Sequence, residues 1–136
     1  MRFHLLRTKL VAATLMLVLG AGGRADAAPG LEGAWTYSEC EALFVHRGKS
    51  VSFKKPVDLF AAAFIVSGNR LRTPMASCSI VGTKRVNDRH ILKLSCATSV
   101  AVSDVTAILA PQSDGTLKRY SDSNDAIGTT YRRCTS

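Results

Sequence analysis

The chain has 136 residues, with 18 Lys and Arg against 10 Asp and Glu, a formal net charge of +8 and four cysteines. Much of that charge is front-loaded. Arg2, Arg7, Lys9 and Arg24, offset by Asp26, stand in the first 27 residues and leave +5 on the rest, which favours solubility and is no nucleic-acid signature.

Arg2, Arg7 and Lys9 open the chain, and Leu10 to Leu19 (LVAATLMLVL) form an uninterrupted apolar run. That run is shorter than the ~20 residues a membrane-spanning helix needs. Small residues follow, and Ala25 and Ala27 fit the small-x-small pattern of signal peptidase. We therefore expect a signal peptide over 1–27, with cleavage after Ala27 or, as its close rival, after Ala28. No cysteine flanks this point to carry a lipid, and Arg2 and Arg7 are not adjacent as the twin-arginine route requires. No Asn-x-Ser/Thr acceptor occurs. The expectation is general secretion to a bacterial periplasm or beyond, and one domain over 28–136. A domain of this size buries roughly two-thirds of its unfolded surface and is marginal unless stapled.

The rest is a series of short β-rich runs broken by turn residues. Gly33 to Ser38 opens, and Ala42 to His46 and Ser50 to Phe53 flank a turn at Arg47-Gly48-Lys49. After Pro56 the spacing of Val57, Phe60 and Phe64, with three alanines, predicts a helical turn through Ala61. Ala62 to Val66 and Arg70 to Thr73 flank Ser67-Gly68-Asn69, residue types that tolerate positive φ. Ala76 to Val81 and His90 to Cys96 flank a polar loop over 82–89. Val102 to Leu109, Thr116 to Ser121 and Thr129 to Cys134 complete the chain. The pattern predicts an all-β fold: a small antiparallel meander barrel or sandwich of about eight short strands, with one short helix.

Four cysteines allow three connectivities. Alternation places Ala76, Cys78 and Ile80 on one strand face and Leu92, Leu94 and Cys96 on one face of the next. Antiparallel pairing of those strands would bring Cys78 to Cys96 and leave Cys40 to Cys134, the first strand to the last. No Cys-x-x-Cys or Cys-x-x-His pair supports a metal site, so two structural disulfides are expected and no metal or cofactor.

Gly33-Ala34-Trp35 resembles the G-x-W opening of lipocalins and related barrels. The resemblance implies that the first-strand Trp packs in a barrel floor with a late Arg, Arg132 or Arg133, across its indole. The mature chain is much shorter than a lipocalin, with no counterpart of the family's T-D-Y motif or of its C-terminal helix. With the closing Tyr131-Arg132-Arg133-Cys134, the frame is similar to small exported β-barrel proteins of bacteria.

Chemistry-bearing candidates are sparse. His46 and His90 are the histidines of the mature chain, and no G-x-S-x-G or comparable signature accompanies them, so no catalytic residue is expected. Asp122-Ser123-Asn124-Asp125 with Gly128 has oxygen-rich side chains but lacks the EF-hand spacing and distal Glu, and reads as a turn. Lys84, Arg85 and Arg89 concentrate positive charge in the polar loop and, with Lys54-Lys55, Lys118-Arg119 and Arg132-Arg133, are a candidate patch for phosphate, lipopolysaccharide or an acidic partner protein. Base-stacking aromatics do not interleave with it, which argues against nucleic acid. Trp35, Phe44, Phe60 and Phe64 are the candidate lining of an apolar pocket, although filling the core is the ordinary use of aromatics in a small barrel. The sequence-level expectation is a monomeric, non-enzymatic exported binding or accessory protein. It would act through its surface on an envelope component, another protein or a hydrolase it inhibits. The alternative is a lipocalin-like carrier of a small apolar ligand.

Overall fold

A computed structural model describes residues 29–135, so the expected signal peptide lies outside the described residues. In chain order the elements are β1 (Gly33–Thr36), α1 (Cys40–Leu43), β2 (Phe44–Arg47), β3 (Ser50–Phe53), β4 (Ala63–Ser67), β5 (Arg70–Arg72), β6 (Ser77–Val86), β7 (Arg89–Ala97), β8 (Val102–Pro111), β9 (Leu117–Tyr120) and β10 (Thr129–Cys134). Eight of the strands close into an antiparallel barrel in the order β1-β10-β9-β8-β7-β6-β5-β4. The remaining pair, β2 and β3, forms a separate hairpin with Phe44 opposite Phe53.

Strand alternation sorts the side chains. Leu31, Trp35, Phe64, Val66, Leu71, Ile80, Leu92, Leu94, Leu109, Leu117 and Tyr131 turn inward and form the main core. Ala34, Ala63, Ile65 and Cys134 turn outward, and there α1 and the β2–β3 hairpin cover them with Phe44, Leu43, Val51 and Phe53. A bond from Lys54 N to the Leu43 carbonyl (2.8 Å) extends the hairpin's own ladder, and the Arg72 guanidinium of β5 latches the hairpin to the barrel by donating to the Val51 carbonyl (3.0 Å).

One end of the barrel is plugged. Trp35 and Leu31 are fully buried there, and Trp35 Nε1 donates to the Leu31 carbonyl at 2.9 Å. The Arg133 guanidinium lies over the indole, 4.5 Å from the ring centroid, and donates to the Gly30 carbonyl at 3.1 Å. Arg132 points elsewhere, to the Ser38 carbonyl and to Glu39.

Both disulfides are present, Cys78–Cys96 and Cys40–Cys134. Cys78 and Cys96 face each other in the β6–β7 register with a Cα–Cα distance of 4.0 Å. The other bond differs in role from the expectation. β1 and β10 are already joined by strand pairing, with Ala34 opposite Cys134, so Cys40–Cys134 instead fastens α1 to the outer wall.

Two sequence expectations fail locally. The helical turn through Ala61 does not form, because the Asp58 carboxylate accepts the Phe60 N–H (3.0 Å) and its carbonyl accepts the Ala61 N–H (3.2 Å). Such an Asx turn competes with helix. Of the spaced apolar residues, Phe64 is buried as part of β4 while Phe60 stands in solvent, so they share no helical face. The short helix falls instead at Cys40–Leu43, inside a run read partly as strand. The polar stretch 82–89 is also no loop: β6 and β7 pair through it, from Gly82 opposite Lys93 to Val86 opposite Arg89. A two-residue turn with Asn87 at φ 55° closes this arm. A bulge at Val81 shifts the register, so Thr83 rather than Gly82 follows Ile80 on the inner face, opposite the fully buried Leu92.

Candidate ligand cavity

The end of the barrel opposite Trp35 is open. Three segments ring it: residues 59–62 leading into β4, the β5–β6 loop over 73–76 and the β7–β8 loop over 98–101. The two loops share one design. The Thr73 hydroxyl accepts the N–H groups of Met75 and Ala76 (3.3 and 3.0 Å), and the Thr98 hydroxyl those of Val100 and Ala101 (3.3 and 3.2 Å). Each loop is closed by a backbone bond from the threonine N–H to the alanine carbonyl, at 2.9 Å in both. The T-P-M-A and T-S-V-A runs thus hold an apolar tip at the rim, and Val100 is 90% exposed. Phe60, 92% exposed, adds a third apolar tip.

Below the rim lies a cavity of about 370 Å³, within the ordinary range for small-molecule sites. It exists because inward positions near the mouth carry small side chains: Ala76 and Cys78 on the β6 side, Cys96 on β7, Ser103 and Ala107 on β8. Toward the plugged end the inward positions are large (Leu92, Leu117, Trp35), and there the barrel is filled. Phe64, Leu71, Leu94 and Leu109 form the apolar base of the cavity, and the Cys78–Cys96 disulfide is part of its wall. Tyr131, 3% exposed, also lines it, with its ring 5.2 Å from that of Phe64.

The wall is incomplete on one side. β9 pairs with β8 only from Ile108 to Pro111, so over Val102–Ala107 the far edge of β8 has no strand partner among the described residues. Val105, at this edge, lines the cavity and is 43% exposed.

The aromatic residues singled out from sequence do not form one group. Phe64 lines the cavity. Trp35 belongs to the plug, Phe44 packs between the hairpin and the outer wall, and Phe60 stands in solvent at the rim. Counting aromatics did not distinguish the inner from the outer face of a strand.

The basic residues are also divided. Lys84 and Arg85 are exposed on the β6–β7 arm, with Arg85 Nε donating to the Asn87 carbonyl at 3.0 Å. Arg89 is committed to the fold: its guanidinium lies 3.6 Å from the Tyr120 ring centroid and donates to the Asp125 carbonyl at 2.7 Å. The loop it holds is organised by Asp125, whose carboxylate accepts the N–H groups of Ser121, Ile127 and Gly128 at 2.9 to 3.1 Å. Those bonds hold its pKa far below the usual carboxylate value, and the oxygen-rich cluster is spent on a turn.

Neither histidine reaches the cavity. His46 Nε2 lies 3.3 Å from the Cys134 carbonyl on the outer wall. His90 sits opposite Arg85 on the arm, its pKa lowered by partial burial and by Arg85, with Asp88 opposing. No family model, curated protein or solved structure matches the chain.

Proposed function

We propose that the protein is a carrier of a small apolar molecule, held in the open mouth of the barrel. The observation that supports this most directly is the 370 Å³ cavity, lined mainly by apolar side chains and set above a filled, plugged end. Burying hydrocarbon there removes apolar surface from water on both partners, at roughly 25 cal/mol per Å². The two disulfides suit an oxidising, exported setting, in which such a carrier would work without chemistry of its own. The surface-binding alternative has weaker support, because Arg89 is occupied by Tyr120 and Asp125.

The test is ligand occupancy. Native mass spectrometry of protein recovered from its source is expected to show a passenger of a few hundred daltons that denaturation removes. An environment-sensitive dye should bind one site. Val105→Trp, at the half-open edge of the cavity, should weaken that binding roughly tenfold or more while leaving the melting temperature nearly unchanged. Full dye affinity in this variant would remove the cavity as the binding site.

A further inference from the structure

A second feature of the same cavity specifies the chemistry of its occupant. Leu117 and Arg119 alternate onto one face of β9: Leu117 is fully buried in the core, and Arg119 lies one step nearer the mouth, opposite Leu109 on β8 and Thr129 on β10. Arg119 lines the cavity yet remains exposed to solvent. It is the only Lys, Arg, Asp or Glu among the lining residues. Among the described residues the one ion pair is Arg132 with Glu39, so no carboxylate neutralises Arg119. An always-charged guanidinium thus stands over an apolar space, with the hydroxyls of Ser103 and Tyr131 in the same lining.

We infer that the ligand is a single-chain amphiphile with one anionic head, its hydrocarbon lying among Phe64, Leu71, Leu94 and Leu109 and its head paired with Arg119. This rests on the carrier reading above. A carboxylate and a phosphate monoester share the required chemistry, since both accept the planar fork of N–H groups that Arg presents. A cationic head would meet repulsion. A neutral head would accept hydrogen bonds from the guanidinium but would lack the ion-pair attraction and the two-pronged match of a carboxylate or phosphate.

The experiment is calorimetric titration of the disulfide-intact protein with dodecanoate, dodecyl phosphate and dodecanol, below their critical micelle concentrations and at low salt. Either anion is expected to bind about tenfold more tightly than the alcohol, the weight of one charge-assisted hydrogen-bond pair in a partly wet site. Arg119→Gln should remove that preference while keeping the alcohol affinity, and Arg119→Lys should retain part of it. Rising salt should shrink the preference, because the head sits at an exposed rim. Equal binding of anions and alcohol by the unmodified protein, or a preference that survives Arg119→Gln, overturns the assignment of the head group and leaves the carrier reading intact. Failure of all three ligands to bind overturns both.

Discussion

Gly128 shows how tightly single positions are held around the barrel wall. Its φ is +71°, and a Cβ there would lie 2.9 Å from Tyr120 Cε1 and 3.1 Å from the Arg119 carbonyl oxygen. The Tyr120 ring has little room to move, since Arg89 covers it. Gly128→Ala is therefore expected to destabilise the protein by about 1–3 kcal/mol, combining backbone strain with a clash. Gly48→Ala separates the two terms, because Gly48 also has positive φ (+60°) but open space around it. A thermal melt in which both variants lose the same stability would show that the ring yields. His90 sets a second residue-scale expectation. Its folded pKa lies below its ordinary 6.5, so the fold prefers the neutral imidazole. That contribution is complete above pH 6.5 and is lost as pH falls through the folded value. His90→Gln should flatten the decline in Tm on acidification below neutrality, and an identical decline in both proteins would assign the effect elsewhere. At this scale the sequence was partly legible. Alternation, joined to the expectation that consecutive strands pair antiparallel, brought Cys78 to Cys96, and the structure has that bond. Arg119 was legible only as half of a basic pair, Lys118-Arg119, in a surface patch. Its place two positions after a core leucine means nothing until the strand is set in a barrel, where it lines the cavity.

The elements were read well where hydrophobic alternation and glycine turns agreed, as in the hairpin β4–β5 around Gly68. They were misread where polarity was taken for irregularity. The run from Gly82 to Arg89 is polar because the β6–β7 arm stands in solvent, and strand pairing along it does not require apolar residues. The helix was misplaced for a related reason: an Asx turn at Asp58 overrode a favourable spacing, whereas the four residues of α1 are held beside the wall by Cys40. That attachment has an energetic weight. Cys40–Cys134 closes a separation of 94 residues, for which loop entropy predicts a contribution on the order of 4 kcal/mol. Replacing both cysteines by serine should lower Tm by roughly 15 °C or more. Hydrogen exchange should show the β2–β3 amides losing protection before those of the barrel. A melting curve indifferent to the substitution would mean that the hairpin is held by its apolar underside alone.

On the scale of the molecule, one ring of strands does two jobs along its axis. Large inward side chains and the Arg133–Trp35 stack fill one end, and small ones leave the other hollow. Composition could not reveal this gradient, since the same residues in another order along the strands would fill the ring evenly. The meander architecture was within reach of the sequence; which end is hollow was not. The half-paired edge of β8 gives the hollow end a further property. Above Ile108 the ring is a trough rather than a tube, with Val105 on its open side. A guest longer than the chamber can trail its surplus carbons through that side into solvent. On the carrier proposal, the chamber would then measure the first stretch of a chain and ignore its total length, so guests would be told apart by what they carry at the rim and hardly at all by how long they are.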